Sequence, residues 1–414
     1  MIPTVLAAAA VALARSLAAL RLQRWNLGAP AVMVLAGILV GIGVEESIAA
    51  ALNTEVAQHV AEIILAFLLF VDATEIRGGR LWGNSPKLVV RVLLLALPLS
   101  LAATMLLGAV LFPGMSWALL LVIACVVVPT DFAPSEHVVR DRRLSARVRS
   151  VLNIESGYND GIVSPVFVFA MLVAESGSSA SAPLDALGTA VSQAAKAIAV
   201  GVVLGGAVAW LMHRSDLAGW MTAQSRRIAV LLTPVVAYAG AVEIGGNGFV
   251  TSFVCGIAFR YVHRLLVARR IHRTPTPLRG HALTALTRDF GLIEDVTALL
   301  TMTMWFVVGL AAVVMVVIGV SWQAVVFCVV ALTVIRLVPV LVSLIGAPIR
   351  ARDRLLLGLL GPRGTTTIVF GLIAYNGLSG DAADTVLLTT VLCVLGSVVL
   401  HGAGSDPLIR RLAT

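Results

Sequence analysis

The sequence predicts an all-α membrane protein with about thirteen transmembrane helices. Three observations support this fold class. Of the 414 residues, 59% are hydrophobic and only 13% are charged. A soluble domain averages about 25% charged residues, so this chain has too few polar groups to cover a water-facing surface. The apolar residues also form runs of roughly 20, which is the length that a membrane-spanning helix requires.

Thirteen apolar runs follow one another along the chain. The first begins close to the N-terminus with no basic segment before it, so we interpret it as a spanning helix rather than a signal peptide. The predicted spans cover residues 3–20, 28–44, 56–75, 87–112, 116–137, 151–174, 186–212, 227–244, 248–265, 291–319, 322–346, 353–375 and 382–402.

The loops between these runs carry the charges that predict topology. Arginine and lysine residues fall on alternate loops, and the formal net charge is +8. The positive-inside rule therefore predicts a cell-membrane protein with its N-terminus outside and its C-terminus in the cytoplasm. No basic stripe with interleaved aromatic residues occurs, so the expected partner is the lipid bilayer and not nucleic acid. The four cysteines stand singly in apolar runs, which favours packing over a cofactor, metal or disulfide.

The predicted spans allow a single transporter domain built from an inverted repeat. Two six-helix units, at about 1–175 and 227–402, would be joined by a connector helix at about 186–212. The fifth span then corresponds to the twelfth. These two spans are expected to be broken helices that cross each other. No cytoplasmic regulatory domain is expected.

Helix-breaking residues interrupt both of these corresponding spans. The fifth contains Pro129 and Pro134, and the twelfth contains Gly361-Pro362-Arg363-Gly364. Proline removes a backbone donor and breaks the hydrogen-bond ladder, which frees carbonyl groups. Broken segments at matching positions of two repeats predict a substrate site near the bilayer midplane.

Charged side chains inside the predicted spans mark candidate site residues, because each costs several kcal/mol. Asp131 lies between the two prolines, where freed carbonyls and the neighbouring Thr130 can coordinate a cation or water. Asp160 follows Asn159 and shares a helix face with Ser156, one turn earlier. A carboxylate, an amide and a hydroxyl provide hard oxygen ligands, which suit Na⁺ better than a soft metal.

Several segments resemble the sodium/proton exchanger type of monovalent cation/proton antiporter. These segments stand in one order and cover most of the chain. ESGYNDGIVSP resembles the Asn-Asp motif of the electroneutral branch of that family. The other matching segments are LLLFVDATEI, PTD, AVEIGGNGFVTSFVCGIAFR, IEDVTALLTMTMWFVVGL, VIRLVPVLVSLIG and GPRGTTTIVFGL. Phe132 departs from the pattern, because many members carry a proline directly after the Thr-Asp pair.

The resemblance implies a transporter rather than an enzyme. The expected activity is exchange of Na⁺ or Li⁺ for H⁺ by alternating access, in a homodimer and without a cofactor. The resemblance implies that Asp160 carries the exchanged proton or cation, while Thr130, Asp131 and Ser156 contribute oxygen ligands for Na⁺. Because position 159 is Asn and not a second Asp, only one carboxylate of this pair can cycle, which predicts electroneutral 1:1 exchange.

Other charged positions receive structural roles. The resemblance implies that Asn159 holds the crossing together and that Asp72 lies near the ion. Glu155 and Arg336 match a buried ion pair, and each charge would be expensive to bury alone. Arg363 is expected to face the negative ends of the broken half-helices.

Three alternative functions stay open at this point. A K⁺/H⁺ antiporter would need the same residues, because cavity size and hydration decide between the two cations. A cation channel fits less well, since broken segments in an inverted repeat favour a carrier. An intramembrane aspartyl protease also uses two aspartates, but Asp131 and Asp160 stand beside Thr and Asn, and the chain lacks a Gly-x-Gly-Asp motif.

Overall fold

The computed structural model describes residues 2–24, 28–42, 45–52, 54–75, 85–132, 138–139, 141–175, 182–272 and 279–413. All regular secondary structure in this part of the chain is helical, which confirms the predicted fold class. Nine helices among these residues are long and apolar enough to cross a membrane. Each of the thirteen predicted spans overlaps at least one helix, and the number of crossings stays a prediction.

The first half of the described chain contains nine helices, and a π turn at Val92–Ala96 joins α6 to α7. The helices are α1 (Ile2–Leu17), α2 (Ala19–Arg24), α3 (Ala29–Gly41), α4 (Glu45–Leu52), α5 (Glu55–Glu75), α6 (Pro86–Arg91), α7 (Leu97–Leu111), α8 (Trp117–Val127) and α9 (Ala146–Glu175).

The second half contains ten helices, and a second π turn, Val398–Ala403, joins α18 to α19. They are α10 (Ala182–Leu217), α11 (Ala223–Glu243), α12 (Gly248–His272), α13 (Arg279–Ile318), α14 (Trp322–Leu332), α15 (Val334–Ser343), α16 (Ala351–Leu359), α17 (Thr365–Gly377), α18 (Asp381–Ser397) and α19 (Gly404–Ala413).

The chain divides into two compact units. The first contains Met1–Ala61, Arg80–Ala182 and Thr301–Thr414, and the second contains Glu62–Gly79 and Pro183–Leu300. Each unit contains segments from both halves of the sequence. The units are defined by which residues pack together, whereas an inverted repeat is defined by internal symmetry. The division into inverted repeats with a connector helix therefore stays a prediction.

In the first unit, α8 is the central element. Its sequence is apolar around the whole circumference, as expected for a helix buried on all sides. It packs against α7, α9, α17 and α18. Elsewhere in this unit, α3 and α13 approach closely, since a Cβ on Gly37 would lie 2.2 Å from the Phe306 carbonyl oxygen. Only glycine allows backbones to come this near.

In the second unit, α11 and α12 form a helical hairpin. Gly245 has a positive φ of 66°, which a side chain would disfavour, and it allows the short reversal between the two helices. The Asn247 side chain accepts hydrogen bonds from the N–H groups of Phe249 and Val250, at 3.0 and 3.1 Å, and so caps α12. Buried aromatic and aliphatic residues of this unit, including Phe70 and Phe259, form its core.

Two helix boundaries differ from the prediction. The span predicted at 322–346 is interrupted at Thr333, which has φ −114° and ψ −80°, although no proline or glycine stands there. The span predicted to begin at residue 291 belongs to a helix that already begins at Arg279. Polar residues limit a membrane span, but they do not by themselves end a helix.

Candidate functional site

Two non-helical segments of the first unit form the frame of the site. α8 ends at Val127, and residues 128–132 continue without helical structure. α16 ends at Leu359, and residues 360–364 are extended before α17 begins at Thr365. Prolines at 129 and 362 lack the N–H group that a continuous helix would use, which explains both interruptions. Pro134, which the sequence also assigned to the first interruption, lies outside the described residues.

Asp131 joins the two non-helical segments to each other. Its backbone N–H donates to the Pro362 carbonyl oxygen at 2.9 Å. Its carboxylate oxygen Oδ2 accepts a 2.6 Å hydrogen bond from the N–H of Thr365, at the start of α17. An anionic oxygen at a helix N-terminus satisfies a free donor and favours the positive end of the helix dipole. A Cβ on Gly364 would lie only 2.3 Å from the same Oδ2, so this junction requires glycine.

Asn159 joins α9 to the first of these segments. Its Nδ2 donates to the Thr130 carbonyl oxygen at 2.9 Å and to the Thr130 hydroxyl oxygen at 2.8 Å. Both side chains are buried. The sequence had assigned the whole crossing to Asn159. In the structure Asn159 holds one segment, and Asp131 connects that segment to the other.

Asp160 lies on α9 with only 2% of its surface exposed. Its Oδ2 accepts a 2.6 Å hydrogen bond from the hydroxyl of Thr366, on the first turn of α17. Its Oδ1 is buried and has no hydrogen-bond partner among the described residues. Asp131 and Arg363 are the charged groups that act on it. The site therefore holds a carboxylate with one oxygen engaged and the other available.

Further buried oxygens without a partner lie on the same two helices. On α9 they are Asn159 Oδ1 and Ser164 Oγ, and on α17 they are the hydroxyls of Thr365 and Thr367, counting only the described part of the chain. A buried polar atom left unsatisfied costs about 1–3 kcal/mol. Hydroxyl, amide and carboxylate oxygens are hard ligands that suit an alkali cation or water.

The two serines on the Asp160 face of α9 differ in their surroundings. Ser156, which the sequence predicted as a ligand, is half-buried, and within the described chain no hydrogen bond links it to Asp160. Ser164, one turn after Asp160, is fully buried. Ser164 was not predicted from the sequence, although residues four positions before and four positions after Asp160 lie on the same helix face. Thr366 was not predicted either, and its only signal is the run of three threonines after Gly364.

Glu155 and Arg336 form a buried ion pair beside this site. Arg336 Nη1 bonds to Glu155 Oε1, and Nη2 bonds to Oε2 at 2.9 Å, so the pair is bidentate. Nη2 also donates to the Leu357 carbonyl oxygen at 3.0 Å, near the end of α16. Both side chains are at least 93% buried. Pairing and additional hydrogen bonds are what make two buried charges tolerable.

Arg363 is buried between the ends of the broken helices. Its Nε donates to the Val127 carbonyl oxygen at 2.5 Å, at the C-terminus of α8, and its Nη1 donates to the Gly361 carbonyl oxygen at 2.9 Å. Its backbone N–H donates to Ser397 Oγ at 2.6 Å. A cation at the carbonyl end of a helix interacts favourably with the helix dipole.

Asp72 lies near the C-terminal end of α5, half-buried, and belongs to the second compact unit. Its closeness to the ion stays a prediction. Among the described residues, no three His, Cys, Asp or Glu side chains form a metal-binding group.

Comparisons with known proteins show which family and which fold this chain resembles. The family described as "Sodium/hydrogen exchanger, transmembrane" matches residues 8–411. The chain is 25% identical over 362 residues to a Na(+)/H(+) antiporter of Schizosaccharomyces pombe, covering 82% of this chain and 72% of that protein.

Two solved structures of the sodium proton antiporter MjNhaP1 of Methanocaldococcus jannaschii share the fold. One, at pH 8, has a TM-score of 0.75 at 17% identity and covers 99% of this chain and 97% of that chain. The other, an electron-microscopy map, has a TM-score of 0.69 at 16% identity and covers 100% and 98%.

Proposed function

Because this chain belongs to the sodium/hydrogen exchanger family, we propose that it exchanges Na⁺ for H⁺ through the carboxylate of Asp160. The chain is a multi-pass membrane antiporter, and the family and its curated relative both concern sodium and protons. The observation that carries the assignment to Asp160 is its position. It is buried where two broken helices meet, with one oxygen bonded to a hydroxyl and the other without a partner in the described chain.

Competition at this carboxylate couples the two fluxes. When Asp160 holds a proton it is neutral and attracts a cation weakly, and when it is ionised it attracts Na⁺ strongly. Thr130, Asp131 and Ser156 provide the remaining oxygen ligands. Thr130 supports this role, because its carbonyl and hydroxyl oxygens each accept one bond from Asn159 and keep a further lone pair.

One proton is exchanged for each Na⁺ or Li⁺ ion. The neutral amide of Asn159 donates two hydrogen bonds and has no proton to exchange. Asp131 accepts a hydrogen bond from the N–H group of Thr365 at the start of α17, where the helix dipole favours a negative charge. Asp160 is then the single carboxylate that cycles, so the exchange moves no net charge.

Alternating access carries the site from one side of the membrane to the other. The helices around Asp160, namely α8, α9, α15, α16 and α17, move as one body, because hydrogen bonds of Asp131, Asn159, Arg336 and Arg363 cross-link them. The two broken helices provide polar backbone groups at membrane depth, as in other carriers with interrupted helices. The functional protein is a homodimer, which the family resemblance supports.

Proteoliposomes with an internal pH dye test this function. A pH gradient is imposed, and Na⁺, Li⁺ or K⁺ is added to wild type, Asp160→Asn and the control Asp381→Asn, whose carboxylate is exposed at the start of α18. We expect Na⁺ and Li⁺ to dissipate the gradient in wild type and in the control, and not in Asp160→Asn. Dissipation by K⁺ alone would contradict the sodium assignment, and full activity of Asp160→Asn would contradict the site.

Stoichiometry needs a separate measurement. The same vesicles are clamped at different membrane potentials with K⁺ and valinomycin, and the initial rate of Na⁺-driven proton movement is recorded. Electroneutral exchange predicts a rate that does not depend on the imposed potential. A rate that rises or falls steadily with potential would show that charge moves and that a second carboxylate takes part.

A further inference from the structure

We propose that Thr366 is a positioning residue for Asp160: its hydroxyl holds Oδ2, so that Oδ1 is the atom that alternately takes the proton and faces the cation. This inference rests on the proposed role of Asp160 in exchange. It adds a residue of α17, the second broken helix, to a site whose sequence-predicted ligands all lie on α9 and on the segment after α8.

Threonine hydroxyls inside helices normally bond to their own backbone. In this protein seven helical threonines donate to the carbonyl oxygen four residues earlier, at distances of 2.7–2.9 Å, whereas the buried hydroxyls of Thr297 and Thr367 have no partner in the described part of the chain. The threonines that do so are Thr104, Thr189, Thr233, Thr251, Thr385, Thr389 and Thr390. Such a bond satisfies the hydroxyl locally and leaves it without a long-range role.

Thr366 makes no such local bond. It is the second residue of α17, so the residues three and four positions earlier, Arg363 and Pro362, belong to the non-helical segment. The Pro362 carbonyl oxygen accepts the N–H of Asp131, and the Thr366 hydroxyl donates elsewhere. The break in the helix therefore frees the Thr366 hydroxyl, which donates to Asp160 instead, across 206 positions of sequence.

The surroundings fix this hydroxyl in place. Thr366 is 2% exposed, and the preceding residue, Thr365, is held through its N–H by Asp131. The 2.6 Å distance is typical of a hydroxyl that donates to an ionised oxygen. Rotation of the Asp160 carboxylate would break this bond, so its two oxygens are not equivalent. Oδ1 is the one left without a protein partner in the described chain.

This arrangement has a measurable consequence for the competition between H⁺ and Na⁺ at the Asp160 carboxylate. A hydroxyl that donates to Oδ2 stabilises the ionised carboxylate, which is the form that binds a cation. Removing the hydroxyl therefore favours the protonated form and weakens Na⁺ binding at a given pH. Asp131 and Arg363, the charged groups that act on Asp160, are unchanged by this substitution. The effect of losing one charge-assisted hydrogen bond is expected to be roughly tenfold.

Three variants test the inference in proteoliposomes. Thr366→Val keeps the shape and removes the hydroxyl, Thr366→Ser keeps the hydroxyl, and Thr104→Val makes the same change at an equally buried threonine on α7. The apparent KM for Na⁺ and the maximal rate are measured from pH 6 to 9 (about the range where such exchange is assayed). We expect Thr366→Val to raise the KM at neutral pH about tenfold and to shift the pH profile of activity upwards by about one unit.

The outcomes separate this inference from the proposed function. Thr366→Ser and Thr104→Val are expected to keep the wild-type KM and pH profile. A Thr366→Val protein with the wild-type KM and profile, alongside an inactive Asp160→Asn, would overturn the role of Thr366 alone. Activity in Asp160→Asn would instead overturn the proposed function. If Thr366→Val does not fold, Thr366→Ala removes the same hydroxyl in a smaller side chain and is judged by the same shift.

Discussion

Replacing Gly364 by alanine tests the junction between the two broken helices. The new Cβ would lie 2.3 Å from Asp131 Oδ2 and 2.7 Å from its Cγ. The carboxylate must retreat by about 1 Å to reach normal contact, which stretches its 2.6 Å bond to the Thr365 N–H beyond hydrogen-bonding distance. Losing a charged helix cap costs about 1–2 kcal/mol, and displacing the backbone adds to this. We therefore expect the free energy of unfolding to fall by about 2 kcal/mol, or roughly 30-fold in the unfolded-to-folded ratio.

A double-mutant cycle isolates this contact. The free energy of unfolding is measured by titration with a denaturing detergent for wild type, Gly364→Ala, Asp131→Ala and the double variant. With the carboxylate gone, the two closest contacts of the added methyl group disappear and the Asp131 Cβ at 3.1 Å remains, so the methyl group should cost less than about 0.5 kcal/mol. If Gly364→Ala costs as much in the Asp131→Ala background as alone, the clash is not the cause and the reasoning is refuted. Gly291→Ala, where nothing lies within 4 Å, serves as a control and is expected to be neutral or slightly stabilising.

Three further predictions follow from contacts of the first unit. Glu155→Gln leaves the buried Arg336 guanidinium without its counter-charge and is expected to lower the free energy of unfolding by about 3–5 kcal/mol; a loss below about 1 kcal/mol in the same titration would argue against a tight pair. Asn159→Ala removes two hydrogen bonds to the segment after α8 and should cost about 2–3 kcal/mol, whereas an unchanged titration would show that these bonds do not hold the segment. Arg143 bonds to Asp406 at 2.6 Å and lowers the pKa of that carboxyl, so the pair stabilises the protein above the ordinary Asp value of about 3.9 and loses its effect as the pH falls further. Asp406→Asn should therefore lower the melting temperature more at pH 7 than at about pH 3, and an equal decrease at both pH values would contradict the account.

The broken helices could be predicted from the sequence because their causes are local. Pro129 and Pro362 lack backbone donors wherever they stand in a chain, so interruptions near them require no knowledge of the fold. The Glu155–Arg336 pair could also be predicted, but only because the family resemblance implies it; the cost of burying either charge alone supports a pair without identifying the partner. Apolar runs of membrane-spanning length predicted the fold class, because the bilayer imposes one constraint on every span.

Contacts between residues far apart in the sequence could not be predicted from the sequence. Thr366 could have bonded to its own helix, and only the position of the break at residues 360–364 frees its hydroxyl for Asp160. The carboxylate of Asp131 was predicted as a ligand, but no local pattern indicates that it caps a helix 234 positions away. No proline or glycine at Thr333 indicates the interruption of the helix there. For Thr366 and Asp131 the deciding partner comes from a distant element, and nothing in the structure explains the interruption at Thr333.

The central claim is that one carboxylate, Asp160, holds either the proton or the cation. Proton release on Na⁺ binding tests it most directly: NaCl is added to purified protein in weakly buffered detergent solution, and the released protons are measured with a pH dye. We predict saturable release of no more than one proton per chain in wild type and in Asp381→Asn, and none in Asp160→Asn, with choline chloride as the ionic-strength control. Release that persists in Asp160→Asn, or that clearly exceeds one proton per chain in wild type, would contradict competition at this single site.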